Sequence, residues 1–240
     1  MRRPLALARG LLEARGGGGL RRGLLHAYLP ACDKLMRECF AALARRHRAW
    51  VVAGSHLRGH PDGRVTSASF TFDPDGRVAA VTEKVNLVPG VEDGAPGALA
   101  LSRGDSERLP VVRAAWGALA TLIGYDGFAE PQGEGERFAW MAGRADAAGV
   151  EVIAHPAACA ADAWPVTGVA GSLERLGRVR HAVSAQLCGA VLDRSFAGRS
   201  AILARDGQGV RVLAAAAGAA DAEVVAATVR LTAAPAGVTG

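Results

Sequence analysis

The chain has 240 residues, half of them hydrophobic, which is enough to bury a sizeable core in one domain. No apolar run reaches the roughly 18 to 20 residues of a membrane span, so we expect no membrane contact. Residues 1–30 carry six arginines and one acid, and this excess equals the whole formal net charge of +5. With Tyr28 as the only aromatic residue of that basic segment, we predict no nucleic acid partner.

The cysteines and histidines give no pattern for a metal centre. The cysteines lack CxxC or metal-ligand spacing and are Cys32, Cys39, Cys159 and Cys188. We interpret them as reduced, mostly buried thiols of a cytoplasmic protein. The histidines His47, His56 and His60 share no ligand spacing either. The sequence therefore predicts neither a metal nor a cofactor.

The first segment, residues 1–27, is rich in Arg and Gly and lacks a period that could bury one face. Its composition predicts a disordered tail, and the alternative is that it stands where the first strands of the fold belong. A helix is predicted over Ala31 to Arg48, where one apolar stripe combines Leu35, Met36, Cys39, Phe40 and Leu43.

Three strands are predicted next in the chain. A short strand covers Trp50 to Gly54, and strands over Ser67 to Phe72 and Val78 to Glu83 form a hairpin around Asp73-Pro-Asp-Gly-Arg77. This hairpin places Lys84 at its end. Only two of the 28 basic residues are lysine. Where lysine survives this bias a chemical requirement gains weight, because arginine cannot act as a compact, tunable ammonium.

The second half alternates predicted strands and helices, as in layered domains. The predicted strands are Pro110 to Arg113, Ala118 to Ile123, Val150 to Ala154, Leu187 to Leu192, Ser200 to Ala204, Val210 to Ala215 and Glu223 to Leu231. The predicted helices are Glu134 to Ala148 and Leu173 to Gln186, with a long loop over His155 to Gly171. Residues 28–231 are expected to form one domain, followed by a loose tail over 232–240.

The stretch Leu119 to Glu130 is an apolar run that breaks abruptly at Gly124. A buried strand that ends in a sharp turn is a place where α/β folds present a reactive side chain. Here that residue is glycine, which has no side chain to react.

Two segments of the chain carry a family resemblance, Lys84-Val-Asn-Leu-Val-Pro-Gly-Val-Glu92 and Leu122-Ile-Gly-Tyr-Asp126. They are similar to the K-x-H-L-x-P-x-x-E segment and the L-I-C-Y-D elbow of the nitrilase superfamily of carbon–nitrogen hydrolases. Further matching pieces are Ala49 to Ser55, Asp73 to Gly76 and Phe196 to Ser200. The resemblance implies an α+β fold, an αββα sandwich that is N-terminally incomplete here, and commonly a homodimer. It also implies small amide, nitrile or carbamoyl substrates and a Glu-Lys-Cys triad.

Residue by residue, the resemblance assigns catalytic positions to Lys84, to the second glutamate Glu92, and to Gly124 in place of the nucleophilic cysteine. Tyr125 and Asp126 match the elbow and are predicted to border the substrate, or to be structural. No strand ending in a Pro-Glu pair supplies the general base, since Glu13 lies in the Arg/Gly-rich segment without a matching motif. For Lys84 and Glu92, the alternatives are a solvated hairpin lysine and a surface acid.

A further departure concerns the family's R-A-x-E-N helix. We match it to His181-Ala-Val-Ser-Ala185, which places Ser184 and Ala185 where a Glu and an Asn would support the site. His155, Cys159 and Trp164 follow the predicted strand Val150 to Ala154 and are predicted to border the substrate pocket. The alternatives are a polar loop histidine, a packed thiol and an aromatic side chain buried under a long loop.

Three functional hypotheses follow. The first is a carbon–nitrogen hydrolase-like protein that is impaired or inactive because the nucleophile and the general base are absent. The second is a non-catalytic member that binds a small amide-like ligand or serves as a subunit partner. The third is a working hydrolase that uses Cys159 as its nucleophile, with His155 lowering the thiol pKa.

Overall fold

The computed structural model describes residues 19–95, 98–133, 137–159, 166–191, 194–218 and 220–231. The helices of this part are α1 (Gly19–His47), α2 (Met141–Ala147) and α3 (Gly171–Arg175), with a π-helical turn at Val166–Ala170 before α3. Of these, α1 alone exceeds two turns. None of the described helices combines the length and apolarity needed to cross a bilayer.

The first sheet is built around a central antiparallel strand. Its members are β1 (Val51–Val52), β2 (His56–Gly59), β3 (Val65–Phe72) and β4 (Val78–Glu83). β4 pairs with one edge of β3, while β1 and β2 pair one after the other along the opposite edge. Every residue of β3 is buried, because neighbours flank both edges and layers cover both faces.

The second sheet has six strands in the order β12-β11-β8-β7-β6-β5. They are β5 (Val111–Ala114), β6 (Gly117–Thr121), β7 (Val152–Ala157), β8 (His181–Gln186), β11 (Ala201–Asp206) and β12 (Gly209–Ala215). β6, β7 and β8 are parallel and occupy the centre, and the outer pairs are antiparallel. A separate hairpin joins β9 (Cys188–Val191) to β10 (Arg194–Ala197).

The two sheets pack face to face between helical layers. Thr71 of the first sheet lies 3.5 Å from Thr121 of the second, measured between the hydroxyl oxygens. On its other face, β3 presents Phe70 and Phe72 to the α1 side chains Met36, Phe40, Ala41 and Ala44. The helices α2 and α3 contribute to the largest apolar cluster, on the second sheet. The expected αββα sandwich is therefore confirmed.

The predicted helix Leu173 to Gln186 is wrong. α3 ends at Arg175, and residues 181–186 form β8, which pairs in parallel with β7 and antiparallel with β11. Within β8, exposed Val183 and Ala185 alternate with buried neighbours, as the strand period requires. Pairing along both edges outweighs the helix propensity of this Ala- and Gln-containing segment.

Several other predicted boundaries also differ. α1 begins at Gly19, well before the expected Ala31, so residues 19–27 belong to the helix and not to a disordered tail. The expected loop from His155 to Gly171 begins with the end of β7 and ends in the π-helical turn. The expected last strand, residues 223–231, makes no strand pairing, and β2 and β10 were not predicted.

The expected apolar stripe of α1 divides between core and surface. Met36 and Phe40 pack on the first sheet, whereas Leu35 and Leu43 are 61% and 43% exposed. The prediction of mostly buried thiols is also wrong, since Cys32 and Cys39 are exposed on α1 and Cys159 and Cys188 are half-buried. The stripe was too wide for one helix face to bury, so its outer side remains in solvent.

Candidate active site

Lys84 lies directly after β4, where the hairpin prediction put it, and is only 4% exposed. Its Nζ donates to Glu92 Oε2 at 2.5 Å. Glu92 Oε2 also accepts the backbone N–H of Val88 at 2.8 Å, which closes the intervening loop around the lysine. The alternative of a solvated lysine is therefore wrong, and Glu92 is a loop acid whose side chain is 16% exposed and paired with Lys84.

Gly124 follows the buried β6 strand and opens a single turn of 3-10 helix, Gly124–Gly127. Its φ of +50° lies in the left-handed region, where L side chains are strained and glycine is not. A Cβ at this position would lie 3.4 Å from Lys84 Nζ. A side chain on this elbow would therefore point directly at the lysine ammonium.

Asp126 binds the segment after Lys84 to the elbow. Its carboxylate accepts backbone N–H groups from Asn86, at 2.7 Å, and from Val85, at 3.1 Å. The residue is 2% exposed, and burial raises its carboxyl pKa to about 6 despite these bonds and the positive charge of Lys84, which act to lower it. Asp126 thus holds Lys84 in register with Gly124 through backbone contacts.

His155 lies on β7 beside the elbow and is 1% exposed. Its Nε2 is 2.8 Å from the carbonyl oxygen of Gly124, and its Nδ1 is 3.0 Å from Ser184 Oγ. A carbonyl only accepts, so Nε2 carries the proton and the neutral ring accepts at Nδ1 from the Ser184 hydroxyl. Burial lowers the imidazole pKa to about 4, against the Gly124 bond, which raises it.

The Ser184 contact was missed at the sequence level. The comparison with the R-A-x-E-N helix put Ser184 in a helix, whereas it lies on β8 and is 1% exposed. Gln186 Nε2 donates to Ser184 Oγ at 2.7 Å, so both residues join the His155 contact. No alternation of apolar residues in 181–186 marks this strand, because the buried Ser184 and Gln186 are polar and the exposed Val183 and Ala185 are apolar.

The remaining predicted residues lie at different places. Tyr125 is 5% exposed and packs edge-on against Phe128 and at a tilt against Phe138, while its hydroxyl accepts the Gln132 N–H. Cys159 is half-buried after β7; burial raises its thiol pKa, and the Lys84 charge opposes this. Trp164 lies outside the described residues.

Within the described residues, the site thus brings together Lys84, Glu92, Gly124, Asp126 and His155. Residues 23–234 of the chain match the carbon-nitrogen hydrolase family. This chain belongs to that family. The match covers the site, both sheets, α2, α3 and α1 from residue 23 onward. No curated protein matches the chain significantly.

Solved structures share the fold of this chain. An amidase from Nesterenkonia sp. AN1 superposes with a TM-score of 0.55 and 23% identity over 70% of this chain and 60% of its own. Nit3 of Saccharomyces cerevisiae, a member of branch 10 of the nitrilase superfamily, superposes with a TM-score of 0.61 and 16% identity over 78% of this chain and 62% of its own. The chain therefore spans about three fifths of the length of these relatives.

Proposed function

We propose that this member of the carbon–nitrogen hydrolase family holds a small amide-like ligand near Lys84 but has lost most or all covalent hydrolysis. The observation that carries the proposal is that a Cβ added to Gly124 would lie 3.4 Å from Lys84 Nζ. Glu92 holds Lys84 through an ion pair, and the elbow position that faces the ammonium bears no nucleophile.

The chemistry explains why this one position decides activity. In the triad mechanism, a thiolate attacks the amide or nitrile carbon, a carboxylate transfers protons, and the lysine ammonium stabilises the developing negative charge. Glycine has no atom that can form the acyl intermediate. Glu92 already accepts both Lys84 and the Val88 N–H, a bonding pattern that suits a group holding the lysine more than one exchanging protons with substrate.

Cys159 is the alternative nucleophile within the described residues. Its thiol is half-buried, and burial raises its pKa, so the reactive thiolate is disfavoured despite the nearby charge of Lys84. His155, proposed to activate it, donates its Nε2 proton to Gly124 and accepts the Ser184 hydroxyl at Nδ1. Both ring nitrogens are thus already engaged. These contacts favour an impaired hydrolase over a hydrolase that uses Cys159.

The test is a Gly124→Cys variant treated with fluoroacetamide and followed by intact-protein mass spectrometry. One Nesterenkonia amidase structure shows the acetamide moiety of fluoroacetamide added at its active site cysteine. The matched control is Gly54→Cys, because Gly54 also has a left-handed φ, of +65°, but open space around it. We expect faster labelling at position 124, where Lys84 favours the thiolate. Equal rates for the two variants would contradict the proposed geometry.

Hydrolysis is measured in parallel on a panel of carboxamides and N-carbamoyl compounds. The unchanged chain is expected to bind butyramide, seen as a rise in melting temperature, without turning it over. Rapid modification of Cys159 in the unchanged chain, together with turnover, would instead support the Cys159 mechanism. No butyramide-dependent stabilisation in either the unchanged chain or Gly124→Ala would argue against a ligand site.

The exposed side of α1 favours the second candidate, a subunit partner that forms a homodimer. Tyr28, Leu35 and Leu43 recur on one side of the helix and are 61%, 61% and 43% exposed, with the exposed Cys32 and Cys39 between them. The stripe has large residues at its ends and centre, so a second copy running antiparallel could cover it. Sedimentation should show a dimer that Leu35→Glu dissociates and that Glu38→Gln, beside the stripe, leaves intact.

A further inference from the structure

A cleft of about 540 Å³ opens beside the segment that follows Lys84, and neither Lys84, Glu92 nor Gly124 lines it. Its wall contains three arginines, Arg103, Arg137 and Arg144, and one carboxylate, Asp105. The volume falls within the range of small-molecule sites. The excess of guanidinium groups gives the cleft a positive field in a protein whose charge outside residues 1–30 is balanced.

Two of these arginines have no carboxylate within ion-pair distance among the described residues, although the charge of Arg103 also acts on Asp93. Arg103 is held in place by backbone acceptors, since its Nη1 donates to the carbonyl oxygens of Val85 at 3.2 Å and Arg137 at 2.9 Å. Within the described part of the chain, neither Arg103 nor Arg137 forms an ion pair with a carboxylate. Arg144, in contrast, is bound by both oxygens of Glu107. The guanidinium of Arg103 is therefore fixed through Nη1, and its other N–H groups can donate to a ligand in the cleft.

An aromatic surface completes the cleft. Trp140 lines it and is 41% exposed. The Trp140 ring packs against Gly143 of α2. A Cβ at Gly143 would collide with the indole, so glycine permits this contact. Guanidinium groups bind carboxylates and phosphates through paired hydrogen bonds, and an indole face stacks on flat apolar groups.

We propose that this cleft binds a small organic oxyanion, a carboxylate or phosphate carried on a flat apolar group. The oxyanion lies on Arg103 and Arg137, and the apolar part lies on Trp140. The proposal does not depend on chemistry at position 124, because the lining residues are separate from Lys84, Glu92 and Gly124.

Binding there would stiffen the candidate active site from outside. Asn86 lines the cleft and exchanges two hydrogen bonds with Ala139, at 2.8 and 2.9 Å, while its backbone N–H is bonded to Asp126. Phe138, next to Ala139, contacts Tyr125 of the elbow with ring centroids 5.4 Å apart. A ligand that fixes residues 137–140 therefore acts on both the Lys84 segment and the elbow.

The test is isothermal titration of the full chain at low ionic strength with benzoate, phenyl phosphate and uncharged benzyl alcohol. We expect at least one aryl anion to bind and benzyl alcohol not to bind. Tighter binding of benzoate would identify a carboxylate ligand, and tighter binding of phenyl phosphate a phosphate ester. Failure of both anions, or equal binding of benzyl alcohol, would overturn the proposal.

The variants locate the site. Arg137→Met should lower the affinity for the anion about tenfold, the loss expected for one charge-assisted contact. Arg108→Met is the matched control, since Arg108 is exposed and does not line the cleft. Equal effects of the two variants would overturn the proposal. If Arg137→Met does not fold, as judged by circular dichroism, Trp140→Leu provides the same comparison, and ligand-dependent slowing of hydrogen exchange at the Ala139 amide provides a second readout.

Discussion

His155 donates a hydrogen bond from Nε2 to the carbonyl oxygen of Gly124 over 2.8 Å, which ties β7 to the elbow that ends the neighbouring strand β6. The bond belongs to a short chain, because Gln186 donates to Ser184 and Ser184 donates to the second ring nitrogen of His155. The parallel strands β7 and β8 and the elbow that follows β6 are thereby connected through buried polar groups. This series of hydrogen bonds holds the backbone of Gly124 whether or not a nucleophile is present.

Ser184→Ala should destabilise the protein by about 1 to 3 kcal/mol, because it leaves the buried His155 Nδ1 without its donor and Gln186 without its acceptor. Urea unfolding measures the change. The control is Ser195→Ala on β10, where the serine is exposed and the expected effect is within about 0.5 kcal/mol. Equal effects at the two serines would show that the buried chain contributes little.

The pH dependence of stability should reveal two opposing groups. Burial lowers the His155 pKa from 6.5 to about 4, so the unfolded chain binds more protons in that window and stability falls as pH drops through it. Burial raises the Asp126 pKa from 3.8 to about 6, so the folded chain binds more protons and stability rises as pH drops from 6 towards 4. Each contribution is on the order of 3 kcal/mol, and they oppose each other in the unchanged protein.

Single substitutions separate the two contributions. Between pH 6.5 and 4, Asp126→Asn should lose stability more steeply than the unchanged protein, since only the histidine contribution remains. As pH falls over the same range, the His155→Gln variant should gain stability relative to the unchanged protein, since only the Asp126 contribution remains. Urea unfolding at several pH values measures both slopes. Parallel slopes in all three proteins would mean that these two groups do not titrate differently on folding.

Gly124→Ala tests the backbone conformation of the elbow separately from its chemistry. A left-handed φ of +50° costs an L residue about 1 to 2 kcal/mol, and the added Cβ meets only the flexible end of Lys84. Gly54→Ala, with φ +65° and open space, should cost about as much, whereas Gly171→Ala, which has open space and no left-handed φ, should cost nothing. Unfolding free energies provide the comparison. A much larger loss at Gly124 alone would indicate steric crowding and not backbone strain.

The buried pair Lys84 and Glu92 should couple more strongly than a surface pair. The side chains are 5% and 16% exposed, so removing Glu92 leaves a poorly solvated ammonium, and Glu92→Ala should cost about 3 to 5 kcal/mol. A double-mutant cycle with Lys84→Met measures the coupling energy. The control cycle is Arg144 with Glu107, 41% and 74% exposed, where about 0 to 1 kcal/mol is expected. Similar coupling in the two cycles would contradict a buried site.

Features encoded by neighbouring residues were predictable. The turn over Asp73 to Arg77 closes through local bonds, including Gly76 N–H to the Asp73 carbonyl oxygen at 2.8 Å, and β4 has the predicted bounds Val78–Glu83. Lys84 therefore emerged where the hairpin put it. Ser184 was misplaced because its segment contains good helix formers, and its strand state depends on β7 and β11, which are distant in sequence. Long-range pairing is invisible to local propensity.

The sequence by itself determined the family and the chemical identity of each position, including a glycine where the resemblance expects the nucleophile. Side-chain chemistry is fixed residue by residue, so Gly124 lacks a nucleophile in any fold. Only the tertiary structure decided that Lys84, Glu92, Gly124 and His155 meet, and that Asp126 holds backbone amides. The physical reason is that burial and hydrogen-bond partners come from strands and loops far apart in the chain, and these set protonation and orientation together.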